Sequence, residues 1–108
     1  MILQLVSFGF GMALLNPAVQ ESLGLSDAQK EEVQELVLSH QSKMVDLRAQ
    51  LQKKRLALRL ALQEGDESEA SSLAREVGSL QSKMLQEQVR FKLALRRTLG
   101  DEKFEKLM

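Results

Sequence analysis

Between Asp27 and Glu64 the chain carries neither proline nor glycine, and its apolar positions recur with a helical rhythm. Val33, Val37, His40, Met44, Leu47, Leu51 and Leu58 follow one another at alternating spacings of four and three, with Lys54 filling the place between the last two. A seven-residue repeat held over several turns is the signature of a helix packed lengthwise against another helix. Gly65-Asp66 interrupts the pattern, and it resumes with Leu73, Val77, Leu80, Met84, Phe91 and Leu95. Long helices are therefore predicted over 27–64 and 67–99, the first ~55 Å long at 1.5 Å per residue. So short a connection turns the second helix back antiparallel on the first, giving an elongated hairpin.

Shorter elements flank the hairpin. Asn16-Pro17 starts a helix over 17–23, with asparagine as N-cap and proline at the first helical position, and Gly24 ends it. Ser26 caps the first long helix, and Gln29 can reach back to the Ser26 N–H to complete a capping box, with Leu25 placed as its hydrophobic staple. Asp66, with Glu69 or Ser68, caps the second long helix. Gly100 ends that helix, and Asp101 is expected to cap a last one over 101–107 carrying Phe104 and Leu107. Gly78 lies inside the second long helix at a cost of ~1 kcal/mol against alanine, which points to close approach of another helix.

Residues 1–15 form an uncharged, apolar arm containing Phe8, Gly9, Phe10 and Gly11. The arm is too short to span a bilayer and lacks the basic start and small-residue cleavage site of an export signal. Left uncovered it would promote aggregation, so it is expected to pack on the domain or on a second copy. The organisation is then an arm over 1–15 and one all-α domain over 16–108.

Composition supports this and narrows the chemistry. The 108 residues are rich in strong helix formers, and 15 basic residues balance 15 acidic ones. Without cysteine there is no thiol nucleophile, disulfide or thiolate metal site. The single histidine, His40, lacks a Ser-and-Asp arrangement, and no glycine-rich phosphate loop follows a strand. An enzyme is not expected, and no cofactor is implied. His40 and Met44 lie one turn apart on the apolar seam, level with Glu87, Arg90 and Phe91. One imidazole and one thioether fall short of the three or four donors zinc takes, so both are read as seam residues and no metal site is assigned.

Leu38, Val45, Leu56, Leu60 and Leu62 lie off the seam, so the apolar surface is wider than one partner helix covers. A homodimer is the expected outcome. The basic runs Arg48, Lys53, Lys54, Arg55, Arg59 and Arg90, Lys92, Arg96, Arg97 are interleaved with Leu, Ala and Phe91. Such runs are ordinarily a solvated face. Bordering exposed leucine, they form a surface that can hold unfolded or acidic polypeptide loosely, apolar contact giving affinity and charge steering approach. On this basis Arg48, Lys53, Arg55, Leu56, Arg59, Leu60 and Phe91 are the candidate client-binding residues. Neutral net charge and the lack of a stacking platform argue against nucleic acid.

The segment Leu23-Gly24-Leu25-Ser26-Asp27-Ala28-Gln29-Lys30 resembles the L-T-x-x-Q motif of the Spy/CpxP-like family, which includes heavy-metal resistance and metal-responsive proteins. Leu25, Ser26 and Gln29 match it, with serine for threonine. Where the family repeats the motif, the chain reads Leu99-Gly100-Asp101-Glu102-Lys103-Phe104, keeping the leucine and losing the threonine and glutamine. The resemblance covers residues 14–108. It implies an exported, periplasmic, ATP-independent chaperone of bacterial origin that dimerises into a curved helical cradle, binds clients on the concave face and answers envelope stress. A helical assembly module with a fixed protein partner is one alternative. A metal-responsive periplasmic sensor is another, although that branch relies on several histidines and this chain has only His40.

Overall fold

The computed structural model describes residues 10–108. Among these residues five helices follow in order: α1 (Phe10–Ala13), α2 (Pro17–Ser22), α3 (Asp27–Glu64), α4 (Glu67–Leu99) and α5 (Asp101–Leu107). No strand occurs among the described residues. The all-α class and the two long, mutually packed helices agree with the sequence reading. Residues 1–9 of the arm lie outside the described residues.

Local chemistry explains each boundary. Asn16 accepts from the Ala18 N–H at 2.9 Å, and Pro17 opens α2. Gly24, at φ +67°, ends α2 with bonds from Gly24 N–H to Glu21 O and from Leu25 N–H to Gln20 O. That pair of bonds is a Schellman closure, and it needs the left-handed conformation glycine adopts without strain. The same closure recurs at Gly65 (φ +69°), where Gly65 and Asp66 donate to Leu62 O and Ala61 O. Asp66 then accepts from the Glu69 N–H at 3.1 Å and starts α4. Ser26 and Gln29 form the reciprocal capping box, Gln29 N–H donating to Ser26 Oγ and Ser26 N–H to Gln29 Oε1.

Two expectations are corrected. Gly100, not Asp101, is the N-cap of α5, and it offers no side chain. The Asp101 carboxylate turns instead to Arg96, at 2.8 Å. Gly78 is not a point of close approach, because a Cβ there would meet nothing within 4 Å.

The chain divides into two compact units, the first made of the chain up to Gln41 with Val89–Met108 and the second of Ser42–Gln88. The first unit has a continuous core of Leu14, Leu23, Leu25, Val33, Val37, Phe91, Leu95, Leu99 and Leu107, with Leu15, Val19, Leu36 and Phe104 packed against it. All five helices contribute through the ends that belong to this unit or the connections beside them. Burial of each large apolar side chain is worth about 1.5–3 kcal/mol. Gly11 lies so close to Val37 and Gln41 that a Cβ would approach their side chains at 3.3–3.4 Å, so α1 is seated on α3. Gln20 Nε2 donates to Leu14 O at 2.9 Å and ties the α1–α2 connection down.

In the second unit only α3 and α4 are present, and their buried residues are Met44, Leu51, Ala61, Leu73, Leu80 and Glu87. Lys54 pairs with Glu76 at 3.1 Å and Lys43 with Glu87 at 3.5 Å, which fixes the two strips as antiparallel. Two helices can bury one stripe each and no more. The rest of their surface faces solvent.

Candidate functional site

A concavity of the second unit runs along one face of α3. It encloses about 440 Å³ and is lined by Arg48, Leu51, Gln52, Arg55, Leu56 and Arg59. Spacings of three and four place these residues on neighbouring turns of a single face. Leu51, 7% exposed, anchors the strip to the hairpin seam, whereas Leu56 is 56% exposed. Long arginine stems beside exposed leucine give a surface that is apolar near the helix and cationic at its rim.

The electrostatics follow from a run of like charge. From Leu47 to Gln63 the chain has five basic residues and no acidic one. Lys54 is neutralised by Glu76. Among the described residues Arg48, Arg55 and Arg59 have no ion pair, and they fall within ~17 Å of helix length. That separation is only about two Debye lengths at physiological salt, so their potentials overlap.

The sequence-derived candidates are thus only partly assembled. Arg48, Arg55, Leu56 and Arg59 meet along the concavity. Leu60 is half-exposed and Lys53 exposed on the same helix, outside the lining. Phe91 is elsewhere: it is buried in the core of the first unit, 4% exposed, with its ring stacked on His40 at 4.0 Å between centroids and 3° between planes. A ring so enclosed offers no free face, so Phe91 keeps the seam position its spacing gives it and drops out of the client-binding candidates. Gln52 and Leu51 were not among the candidates, although their spacing from Arg48 and Arg55 carries the signal.

The motif residues gather in the first unit. Leu25 and Leu99 are both core residues. Gln29, besides its capping role, donates through Nε2 to Thr98 O at 3.1 Å. Lys103 donates to Gly24 O and to Gln29 Oε1, each at 2.8 Å. Three helices, α3, α4 and α5, therefore meet on one amide side chain, and Lys103 is the participant that sequence reasoning missed. The neighbouring Arg96–Asp101 pair is solvent-exposed; its hydrogen bond holds the Asp101 carboxyl below and the Arg96 guanidinium above their ordinary pKa ranges.

Further apolar side chains reach solvent on α4, where Leu85, Val89 and Leu93 recur every fourth residue at 50–62% exposure. No helix among the described residues is long and apolar enough to cross a membrane.

A family of proteins described as heavy-metal resistance matches residues 9–106. No curated protein and no solved structure matches the chain. The family description invites a test for a metal centre. A resident transition-metal ion takes three or four N, S or O donors. Among the described residues no three of His, Asp and Glu come together, cysteine is absent from the chain, and the one imidazole is stacked on Phe91. The donor set does not fit a resident metal ion.

Proposed function

The chain belongs to the heavy-metal resistance family, and from that premise we propose that it is an ATP-independent, holdase-type chaperone of the bacterial envelope, binding unfolded or partly folded polypeptide along α3. The observation that carries the reading is the concavity of the second unit, where Leu56 is exposed between Arg55 and Arg59. Unfolded chains present short apolar segments flanked by polar backbone and scattered charge. A strip that is apolar at its floor and cationic at its edge takes such segments without demanding a sequence, since neither contact is directional. Family membership supports export to the periplasm and a role in envelope stress as parts of this reading.

The mechanism needs no bound nucleotide. A client's apolar side chains lie on Leu56 and Leu51, its carboxylates approach the guanidiniums of Arg48, Arg55 and Arg59, and its water-exposed remainder keeps the complex soluble. Charge-steered encounter is fast and the apolar contact area small, so clients come off again to fold.

The test is aggregation of a destabilised, unrelated client followed by light scattering. Suppression at near-equimolar protein without ATP is expected; none at several-fold excess would sink the proposal.

A further inference from the structure

We propose that the outward face of α4 around Val89 and Leu93 docks the first unit on an anionic lipid bilayer, lying flat on its surface without crossing it. The first observation is charge order. From Gln88 to Gly100 the chain holds four cations, Arg90, Lys92, Arg96 and Arg97, and no acid. The whole chain is neutral, so this positive charge is local.

Helix geometry sorts these residues by side. Successive residues turn by about 100°, so Val89 and Leu93, two places before and after the buried Phe91, point away from the hairpin seam. Both are 50% exposed. On the same helix Arg90 and Arg97 fall on one flank of this pair, and Lys92 and Arg96 on the other. An apolar stripe with cations along each side suits a helix that lies in a lipid interface. Its aliphatic side chains enter the acyl boundary, while the long cationic stems bend outward to the phosphates.

Stability of the fold accounts for only part of that charge. Arg96 and Arg97 sit in the last turn of α4, where the negative end of the dipole favours cations, and Arg96 is paired with Asp101. Arg90 and Lys92 lie before that turn and have no ion pair among the described residues. They are left for a partner of opposite charge.

The second observation is what joins the fold at this level. Residues 1–15 carry no charge; they are too few to span a bilayer, yet apolar enough to lie in its interface. A Cβ on Gly11 of α1 would come within 3.9 Å of Phe91 Cζ, the residue midway between Val89 and Leu93. The uncharged segment therefore meets the fold level with the stripe. Met12 of α1, 57% exposed, adds a further apolar side chain. One weak apolar anchor holds a protein to a membrane only marginally, whereas an apolar element joined to a cationic patch holds it stably. Both signals occur in this one unit.

A partner helix fits the face less well. The exposed apolar row of α4 is Leu85, Val89 and Leu93, and the next outward places are Arg96 and Arg97. A coiled-coil partner needs a seam sustained over about three or four heptads. Lipid asks for less, since each cation beside an anionic surface raises binding about fivefold. The inference does not rest on the chaperone reading.

Co-sedimentation of the full chain with vesicles tests it. Vesicles of phosphatidylethanolamine and phosphatidylglycerol should carry the wild type into the pellet, less so as salt is added, and vesicles of phosphatidylcholine alone should carry little. Arg90→Glu with Lys92→Glu should weaken binding at least ~10-fold, and Val89→Gln with Leu93→Gln several-fold, with melts by circular dichroism unchanged. The same reversal on α3, Arg55→Glu with Arg59→Glu, should leave vesicle binding as in the wild type. Because the chain contains no tryptophan, Leu93→Trp adds a single reporter, whose emission should shift to the blue on anionic vesicles. The proposal is overturned by a wild type that stays in the supernatant, by α4 variants that bind as it does, by equal loss from the α3 reversal, or by an unshifted tryptophan on bound protein. Binding of a soluble acidic peptide in place of vesicles would overturn it too and assign the face to a protein partner. Client protection without vesicle binding would remove this inference and leave the chaperone reading intact.

Discussion

Lys103 donates its ammonium to the side-chain oxygen of Gln29 at 2.8 Å. The residue that stands where a second motif would place its glutamine is thus bonded to the glutamine of the first. The motif leucines behave as a pair as well, since Leu25 and Leu99 share one core. Lys103 adds a second contact, to Gly24 O at 2.8 Å. Gly100 gives α5 no side-chain cap, yet the two motif sites touch through Lys103 and Gln29.

Gln29→Ala should therefore cost more than an ordinary cap deletion. It removes the acceptor for the Ser26 N–H, the donor to Thr98 O and one partner of Lys103. A loss of about 2–3 kcal/mol is expected, against about 1 kcal/mol for Ser26→Ala. Urea denaturation measures both, and equal losses would show that the contacts to Thr98 and Lys103 contribute nothing.

The glycines give predictions of opposite sign. Gly78 has an ordinary helical backbone and open space at its Cβ position, so Gly78→Ala should stabilise by about 0.5–1 kcal/mol through helix propensity. Open space surrounds Gly65 too, but at φ +69° its alanine variant is strained and should destabilise by about 1 kcal/mol. Thermal melts of the two variants should move apart from the wild type; a fall for Gly78→Ala would mean that something packs on that face after all.

These residues also show how far the sequence could be read. The two long helices and the short ones flanking them were legible because caps, Schellman glycines and the heptad are local signals, each spelled out within a few neighbouring residues, whereas α1, inside the uncharged arm, was not. The seam held from Val33 through Leu51 and from Leu73 through Leu95, with one exception that periodicity skipped. Glu87 takes a buried position, 8% exposed, with Lys43 beside it. Phe91 shows the limit on the site. Its seam spacing placed it level with His40, where the ring does lie. Its cationic neighbours in sequence also made it a client-binding candidate, and its burial shows that they were no guide to exposure. Lys103 was illegible because it is 74 residues from its partner.

Acid should act late and weakly at the α4–α5 junction. Hydrogen bonding to Arg96 lowers the Asp101 pKa from its ordinary value of 3.8, so this pair's contribution is present above that value and lost as pH falls through the depressed native one. Arg96 stays charged throughout, its own pKa being raised. Both groups are exposed, so the effect should be small and screened by salt. A carboxyl-resolved NMR titration should place Asp101 below an ordinary aspartate, and Arg96→Gln or high salt should return it toward the usual range. An unshifted Asp101 at low salt would show that the pair does not persist in solution.

Phe91 and Leu56 separate folding from binding most sharply. Phe91 is enclosed by the core of the first unit, so Phe91→Ala should cost about 3–4 kcal/mol and reduce client protection only in proportion to the folded protein lost. Leu56 is more than half exposed on the arginine strip, and Leu56→Ala should change stability by less than about 0.5 kcal/mol. Arg55→Ala belongs with it. If the strip holds clients, the Leu56 and Arg55 variants should melt as the wild type does yet require several-fold more protein for the same suppression of scattering. Combining them should compound the loss, since apolar floor and cationic edge act on the same segment. Full protection by the double variant, with an unchanged melt, would move the client surface off α3 and toward the exposed leucine and valine positions of α4.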